Sequence, residues 1–263
     1  MNSGAASRTI TSLTNPTVKA ARALHLRKAR DETGLFLVEG LKSVIEAVRL
    51  GRSPRLLLHG TAAAEHPLTR EAAAVAGETI EVSDAILAKI SRRDNPQAVL
   101  GVFEQVFTPL AELDPLAARC WVALQAVRDP GNLGTILRTA DAAGCGGVIL
   151  VGDCCDPYSV EAVRATMGSI FAVPLARASV ADFIAWCARW PGAVVGTLLT
   201  ADIDFRAAAY SDPTLILMGN EQAGLPDELA AICDVAVKIP MRGRADSLNL
   251  AVATGIMIYA VMG

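Results

Sequence analysis

The chain alternates between short apolar runs and segments in which apolar residues recur at helical spacing. Residues 14–30 place small apolar and basic residues at that spacing and predict a helix. The stretch GLFLVEGLKSVIEAVRLG predicts a strand at 35–38 that enters a helix at 40–50, with Gly51 at its C-cap. Further strands are predicted at 55–60, 79–82 and 98–106. The first part of the chain is therefore expected to form a compact α/β unit.

After residue 120 apolar runs and amphipathic segments alternate regularly. Strands are predicted at 121–127, 146–152, 193–199, 214–219 and 235–239. Helices are expected at about 132–143, 159–168, 179–189 and 247–261. This alternation predicts an α/β domain with a mostly parallel, buried sheet. Because such sheets bind ligands beyond the carboxyl ends of their strands, chemistry is expected in the loops after 127, 152, 199, 219 and 239.

A break between the two patterns falls at residues 108–119, TPLAELDPLAAR, which hold two prolines and little strand character. This segment is the predicted linker. The expected domains are residues 1–110 and residues 120–263.

Composition indicates a globular chain, because 52% of its residues are hydrophobic. The first residues, MNSGAASRTI, lack the apolar core of a secretory signal, and no apolar run is long enough to span a membrane. The run 248–263 comes closest, but Asn249, Thr254 and Gly255 interrupt it, which favours a buried helix. A soluble, cytoplasmic protein is expected.

Cysteine and histidine positions narrow the possible chemistry. The 6 cysteines include no CxxC pair, and the adjacent Cys154 and Cys155 suit neither a metal cage nor an ordinary disulfide. We expect reduced thiols in or near the core. The 3 histidines, of which His66 is the last, exclude a histidine-based triad or zinc site farther along the chain. No metal is expected.

The charge is uneven along the chain, although the formal net charge is only -3. The first 30 residues contain no acid, and their basic residues are Arg8, Lys19, Arg22, Arg27, Lys28 and Arg30. Such a segment attracts a polyanion such as RNA. A solvated basic helix face is the equally open alternative.

The stretch DPGNLGTILRTADAAG, residues 129–144, combines a glycine-containing turn with a helix whose first turn suits an anion. It departs from the dinucleotide-binding G-x-G-x-x-G pattern, because no third glycine follows Gly131 and Gly134. Asp153 does stand where a ribose-binding acid would be, so a nicotinamide-dependent oxidoreductase remains an alternative. Taken alone, Arg138 in this helix is typical of an ordinary surface residue.

Two further loops at strand ends have an equally unusual composition. They are MGNEQAGLP at 218–226 and IPMRGRADSLNLAVATG at 239–255. Glycines beside Asn220 and Glu221 favour close approach to a ligand, although Glu221 capping a following helix is the alternative. Likewise, Ser247 or Asp246 is a candidate N-cap of the last helix.

Together these three segments resemble the SpoU (TrmH-type) family of RNA ribose 2'-O-methyltransferases, a branch of the knotted SPOUT class, over roughly residues 121–261. The motifs that carry the resemblance are Asn-x-Gly-x-x-x-Arg at Asn132, Gly134 and Arg138, Gly-x-Glu-x-x-Gly at Gly219, Glu221 and Gly224, and Ser-Leu-Asn at Ser247, Leu248 and Asn249. The stretch FLVEGLKSVIEAV is similar to part of the family's ribosomal-protein-like substrate-binding domain.

The resemblance implies a trefoil knot that binds S-adenosylmethionine in a bent shape. Its expected lining residues are Gly219, Ile239, Met241 and Leu248. The expected catalytic residues are Arg138, Asn132, Glu221, Ser247 and Asn249. The resemblance points to Arg138 for activation of the ribose hydroxyl. Because a free guanidinium keeps its proton at ordinary pH, we expect it to hold the adjacent phosphate and orient the hydroxyl, whose proton passes to phosphate, to solvent or transiently to Arg138.

The resemblance also implies partners. A homodimer is expected to form through knot-side helices that include 248–262, and Arg164 is expected to reach an RNA phosphate. The extra N-terminal domain favours ribosomal RNA over transfer RNA as substrate. A catalytically silent RNA-binding protein is the remaining alternative.

Overall fold

The structure, a computed structural model, describes residues 8–263, so that most of the segment used to judge a secretory signal lies outside the described residues. The chain divides into two compact units. The first comprises the described residues up to Gln105 together with Tyr158–Ala172, and the second comprises Val106–Pro157 and Val173–Gly263. Each unit is built around its own sheet.

The strands follow one another along both units. They are β1 Arg8–Ile10, β2 Leu35–Glu39, β3 Leu56–His59, β4 Glu78–Val82, β5 Val99–Glu104, β6 Cys120–Gln125, β7 Val148–Val151, β8 Leu175–Ala178, β9 Ala193–Thr197, β10 Ile203–Asp204, β11 Thr214–Met218 and β12 Val235–Lys238. The first sheet has the order β1-β4-β3-β5-β2, and the second has the order β10-β12-β9-β11-β6-β7-β8.

The α-helices lie between and after these strands. They are α1 Pro16–Ala23, α2 Arg27–Thr33, α3 Leu41–Arg49, α4 Pro67–Val75, α5 Asp84–Ser91, α6 Pro130–Ala143, α7 Val160–Thr166, α8 Val180–Cys187, α9 Asp227–Ala230 and α10 Leu250–Met262.

The first sheet is mixed, because β5 pairs antiparallel with both β2 and β3 while β4 pairs parallel with β1 and β3. Its four longer strands match the predicted runs. The single helix predicted over 14–30 is instead two helices, α1 and α2. The buried side chain of Arg30 in α2 donates to the carbonyl of Leu24, which follows α1, at 2.7 Å. Gly51 lies one residue past the C-cap Leu50 and takes φ +77.

The basic residues near the start of the described chain are only partly available to a polyanion. Arg30 is 3% exposed and serves the fold. Arg27 pairs with Asp31 at 3.6 Å, and Lys28 lies 3.8 Å from Glu32. These helix pairs reduce the positive charge that the sequence of the first 30 residues indicates.

Residues 158–172 fold with the first unit, although the strands before and after them belong to the second. The ring of Phe36 in β2 lies 4.6 Å from that of Tyr158 and 5.7 Å from that of Phe171. The guanidinium of Arg164 donates to both carboxylate oxygens of Glu39, at 2.9 and 2.6 Å. Glu39 is almost fully buried, with 3% of its side chain exposed. The expectation that Arg164 reaches an RNA phosphate is therefore corrected, since its guanidinium neutralises a buried carboxylate.

The second sheet is parallel in every strand pair of the described chain, as predicted. The central strands β6 and β11 are buried along almost their whole length, which explains their continuous apolar runs. The outer strands β8 and β10 lack such runs and are not predicted from the pattern. The trefoil knot that the resemblance implies stays a prediction.

The segment predicted as a linker is packed onto the second unit. Leu113 is buried in the core of that unit, and Leu110 packs against the same core. The indole of Trp121 donates to the carbonyl of Pro115 at 3.1 Å. The two prolines stop helix and strand formation, but the leucines beside them still bury apolar surface.

Within the described residues no helix combines the length and the apolar character that crossing a membrane requires. All 6 cysteines are free thiols, as expected. Cys154 is buried and Cys155 is half-buried. Burial raises the pKa of the Cys155 thiol to about 12, with a smaller contribution from neighbouring acidic groups.

Candidate functional site

Side chains from three distant segments meet at the carboxyl edge of the second sheet. The amide of Asn249 donates to Oδ1 of Asn132 at 2.8 Å. The amide of Asn132 in turn donates to Oε1 of Glu221 at 3.4 Å. The three loops that the sequence marks as unusual therefore converge, through one residue each, on a single hydrogen-bonded chain.

Helix capping fixes the direction of this chain of hydrogen bonds. Oδ1 of Asn249 accepts from the backbone N–H groups of Ala251 and Val252, at 2.9 and 3.3 Å, and so caps α10. Because that oxygen is occupied, the amide nitrogen of Asn249 points to Asn132. The candidate caps Ser247 and Asp246 do not cap α10, which begins three residues later than predicted. Asp129 caps α6 by accepting from the N–H of Asn132 at 2.6 Å.

The loop from Asn220 to Gly224 is closed on itself. Its two end residues exchange backbone hydrogen bonds of 3.1 and 3.0 Å. The side chain of Asn220 accepts from the N–H groups of Gln222 and Ala223 and donates to the carbonyl of Ala126 at 2.8 Å. A Cβ on Gly219 would stand 2.2 Å from the carbonyl carbon of Gly224, so only glycine fits there.

Glu221 projects from this loop toward the first turn of α6. Besides Asn132, its carboxylate lies 3.4 Å from the backbone N–H of Arg128 and 3.4 Å from the amide of Asn220. The helix α9 has no side-chain cap, so the alternative role of Glu221 as its cap is excluded. Because these contacts are long, the carboxylate oxygens of Glu221 can still accept further hydrogen bonds.

A first cavity of about 510 Å³ opens on one side of the Asn220–Gly224 loop. Its lining includes the four residues expected to hold the cofactor, namely Gly219, Ile239, Met241 and Leu248. Ser247, Glu221 and the end of β9 also line it. Its size falls within the range of small-molecule sites. The loops after β9, β11 and β12 line this cavity. Asp153 lies in the loop after β7, which does not contribute to the lining.

A second cavity, of about 670 Å³, is also lined by this loop. Its lining includes Gln125 and Ala126 at the end of β6, Arg128 and Asp129 before α6, and Glu221 in the loop. Both cavities therefore share the Asn220–Gly224 loop as a wall.

Two of the buried polar atoms around these cavities are unsatisfied. In the described residues, the buried side-chain atoms without a hydrogen-bond partner are Thr69 Oγ1, Gln125 Oε1 and Thr197 Oγ1. Thr197 lines the first cavity and Gln125 lines the second. Sequence reasoning missed both residues. The signal that could have found them is a polar residue at the carboxyl end of a buried parallel strand.

Two of the expected catalytic residues stand apart from the hydrogen-bonded chain. Ser247 is exposed at the first cavity. Arg138 is exposed on α6, and its guanidinium forms no hydrogen bond or ion pair within the described part of the chain. It follows Asn132 by six residues, which is about 9 Å of helix rise and about 240° of rotation. Arg138 thus faces away from the Asn132–Glu221 pair in one copy of the chain.

Among the described residues no cluster of histidine, cysteine and acidic side chains could hold a metal ion. Asp153, the candidate ribose-binding acid, forms an ion pair with Arg128 at 2.6 Å.

Comparisons with known proteins agree with the motifs. The profile of the SpoU rRNA Methylase family matches residues 119–259, and that of the MRM3-like substrate binding domain matches residues 15–101. The chain is 30% identical to the 23S rRNA (guanosine(2553)-2'-O)-methyltransferase RlmP of Bacillus subtilis, over 97% of this chain and 99% of that protein. It is 34% identical to a 23S rRNA (uridine(2479)-2'-O)-methyltransferase of Streptomyces viridochromogenes, over 89% and 84%.

Solved structures show the same likeness across both units. The crystal structure of an AdoMet-bound rRNA methyltransferase from Sinorhizobium meliloti is 51% identical and has a TM-score of 0.91, covering 97% of each chain. With the motifs, the cavity beside them and the profile that spans the second unit, these likenesses agree on one assignment. The chain belongs to the SpoU rRNA methylase family.

Proposed function

We propose that this protein transfers a methyl group from S-adenosylmethionine to a ribose 2'-hydroxyl of RNA, with ribosomal RNA as the substrate class. The observation that carries the proposal is the meeting of Asn132, Glu221 and Asn249 beside a cavity lined by Gly219 and Leu248. Membership of the SpoU family and the printed activities of the relatives support it.

The residues of the first cavity fit S-adenosylmethionine. When bound, this cofactor supplies a methyl group on a sulfonium centre, which a hydroxyl oxygen can displace without a metal. Met218, Leu225 and Leu250 offer an apolar lining, and Gly219 leaves room for the backbone of Gly224, which also lines the cavity. The unsatisfied hydroxyl of Thr197 is available to a polar group of the cofactor. The cavity thus combines apolar walls with a few polar groups, as small-molecule sites do.

The chain's own polar residues would position the ribose. Asn249 is fixed by its hydrogen bond to the start of α10, and it donates a hydrogen bond to Asn132. Asn132 in turn donates to Glu221. A reacting hydroxyl bound beside this series would be held in a fixed direction, which lowers the entropic part of the barrier. Because Arg138 retains its charge, its proposed part is to hold the neighbouring phosphate and orient the hydroxyl.

We further propose that the working form is a homodimer in which Arg138 comes from the second copy. In one copy, this arginine lies away from Asn132 and Glu221 and has no partner of its own. Helix α10 contains no charged residue, yet Val252 is 53% exposed and Tyr259 is 58% exposed. A second copy that covers this face would bury apolar surface and could bring Arg138 to the site.

The first experiment measures methyl transfer and ligand choice together. Wild-type protein is incubated with S-adenosylmethionine tritiated in the methyl group and with ribosomal or transfer RNA, and label in the RNA is counted. Separate titrations with S-adenosylmethionine and NADH compare the two ligands. We expect label in ribosomal RNA and binding of the methyl donor only. Binding of NADH, or RNA binding without transfer, would contradict the proposal.

A mixing experiment tests the shared site. Arg138→Ala and Glu221→Gln should each be inactive alone, whereas an equal mixture should regain about a quarter of wild-type activity, because half the dimers then contain one intact site. An inactive mixture whose subunits demonstrably exchange would contradict a site built from two copies.

A further inference from the structure

The second cavity lies beside the proposed methyl-transfer site. The cofactor is proposed to bind in the first cavity and does not account for the second one. Gln125 closes its floor at the carboxyl end of β6, and Glu221 lines both this cavity and the first one. A group bound here would therefore lie next to Glu221, which is bonded to Asn132.

The lining of this cavity includes a buried side-chain atom that has no hydrogen-bond partner among the described residues. Oε1 of Gln125 is buried and has no partner. An unsatisfied buried polar atom costs about 1–3 kcal/mol, so folding alone does not favour glutamine at this position. Rotation about the terminal torsion, which is soft in glutamine, is enough to turn the amide toward a ligand. Thr197 Oγ1 is likewise unsatisfied and lines the cofactor cavity, whereas the unsatisfied Thr69 Oγ1 lines neither cavity.

The backbone after Gln125 is held in an unusual conformation. Ala126 takes φ +46, in the left-handed region that non-glycine residues rarely adopt. Its carbonyl accepts from the side-chain amide of Asn220 at 2.8 Å. The shared loop thus fixes the strand end that carries Gln125, and strain of this kind is concentrated at binding sites.

The charges around the cavity indicate what kind of group it accepts. Asp129 and Glu221 both line it, whereas the single cation in its wall, Arg128, is paired with Asp153. A phosphate would meet two carboxylates and is disfavoured. A neutral group that donates hydrogen bonds is favoured, because Gln125 Oε1 and both carboxylates are acceptors. Sequence-specific RNA recognition commonly reads such edges of unstacked bases.

We propose that this cavity receives the base of the nucleotide that is methylated, that the base is guanine, and that Gln125 is a specificity-determining residue. Guanine presents two adjacent donors, N1–H and the N2 amino group, and so matches an acceptor-rich floor better than uracil, which has one donor between two carbonyls. The inference rests on the proposed function, since it assigns the base attached to the reacting ribose.

The test uses Gln125→Leu, which keeps the side-chain size and removes the acceptor. The substrate is a ribosomal RNA fragment that carries the mapped target nucleotide, made with guanosine, inosine or uridine at that position. Wild type should prefer guanosine to inosine, which lacks the N2 amino group, by about tenfold or more in kcat/KM. Gln125→Leu should lose about tenfold to a hundredfold in kcat/KM on guanosine and should no longer distinguish guanosine from inosine.

Two further measurements separate this role from a structural one. The affinity of Gln125→Leu for S-adenosylmethionine should be unchanged, and its Tm should be equal to or higher than that of wild type, because an unpaired polar atom has been removed. The matched control is Thr69→Val, which removes the unpaired buried hydroxyl of the first unit and should leave the discrimination intact.

The outcomes are distinct for the two proposals. Absence of methyl transfer by wild type would overturn the proposed function itself. Transfer by wild type to a nucleotide other than guanosine, unchanged discrimination in Gln125→Leu, or parallel losses in Tm and cofactor affinity would overturn the base assignment and leave the methyltransferase function standing.

Discussion

The buried carboxylate of Glu39 in the first unit and the polar groups at the carboxyl edge of the second sheet differ in how completely they are hydrogen-bonded. In the first unit the buried carboxylate of Glu39 accepts two hydrogen bonds from Arg164, and the guanidinium of Arg93 lies 3.9 Å from it. In the second unit, Asn132 and Glu221 are joined by a single bond of 3.4 Å. Two atoms at the ends of β6 and β9 have no partner at all. The paired carboxylate stabilises the first unit, whose unsatisfied Thr69 Oγ1 lines neither cavity. The unsatisfied atoms of the second unit line the two cavities and mark the place where a ligand binds.

The largest effect is expected at Arg138, which has no structural partner. Arg138→Ala should lower methyl transfer by about 10²-fold or more, because the group that holds the neighbouring phosphate and orients the hydroxyl is lost. The affinity for S-adenosylmethionine and the Tm should stay at wild-type values. Single-turnover transfer and calorimetric titration provide the measurements. The control is Arg189→Ala, another exposed arginine without a side-chain partner in the described residues. Similar losses in both variants would contradict the assignment.

The next largest effect is expected on the free energy of unfolding. Two variants each remove the arginine of one ion pair, and both pairs have a length of 2.6 Å. Arg164→Met leaves Glu39 buried without its main partner and should lower the free energy of unfolding by about 3 kcal/mol. Arg128→Met removes an exposed pair and should leave the denaturation midpoint unchanged within error. Urea unfolding followed by circular dichroism measures both. Equal shifts would show that the two units do not differ in this way.

Asn249 has one role in the fold and one in the site, and two variants separate them. Asn249→Ala should lower stability by about 1 kcal/mol through loss of the α10 cap. Asn249→Ser retains a capping oxygen and should keep most of that stability. Both lose the bond to Asn132, so methyl transfer should fall similarly in both, as measured by kcat. Full activity of the serine variant would mean that only the cap matters.

The smallest effect is expected at Thr197. Thr197→Val removes the unpaired hydroxyl at nearly constant volume and should raise the Kd for S-adenosylmethionine about fivefold, which corresponds to about 1 kcal/mol. The Tm should not decrease, because the hydroxyl has no partner to lose. Isothermal titration and a thermal melt decide the outcome. An unchanged Kd would remove Thr197 from the cofactor site.

The sequence predicted the parts of the fold that depend on strong periodicity. The apolar runs that become β6, β9 and β11 predicted a parallel sheet, which is confirmed, and the resemblance carried by the three motifs is confirmed by the family profile. The short strands β1, β8 and β10 have weak patterns and depend on their neighbours for pairing. The break between α1 and α2 was not predicted from the helical spacing of residues 14–30.

The site was predictable only in part. The family resemblance implied that Asn132, Glu221 and Asn249 belong to one site. Their hydrogen bonds span 89 and 117 residues, and no local rule specifies them. The role of Arg164 could not be predicted, because Glu39 lies 125 residues away in the sequence. The second cavity is lined by Ala126 in a left-handed conformation, and an alanine in the sequence gives no signal of such a backbone.

The position of the transferred methyl group tests the central claim most directly. After reaction with tritiated S-adenosylmethionine, the ribosomal RNA is hydrolysed completely with alkali and its products are separated by size. A 2'-O-methyl group blocks the attack that cleaves the adjacent phosphodiester, so the label should appear in an alkali-stable dinucleotide. Label in mononucleotides, which would place the methyl group on a base, would contradict the account.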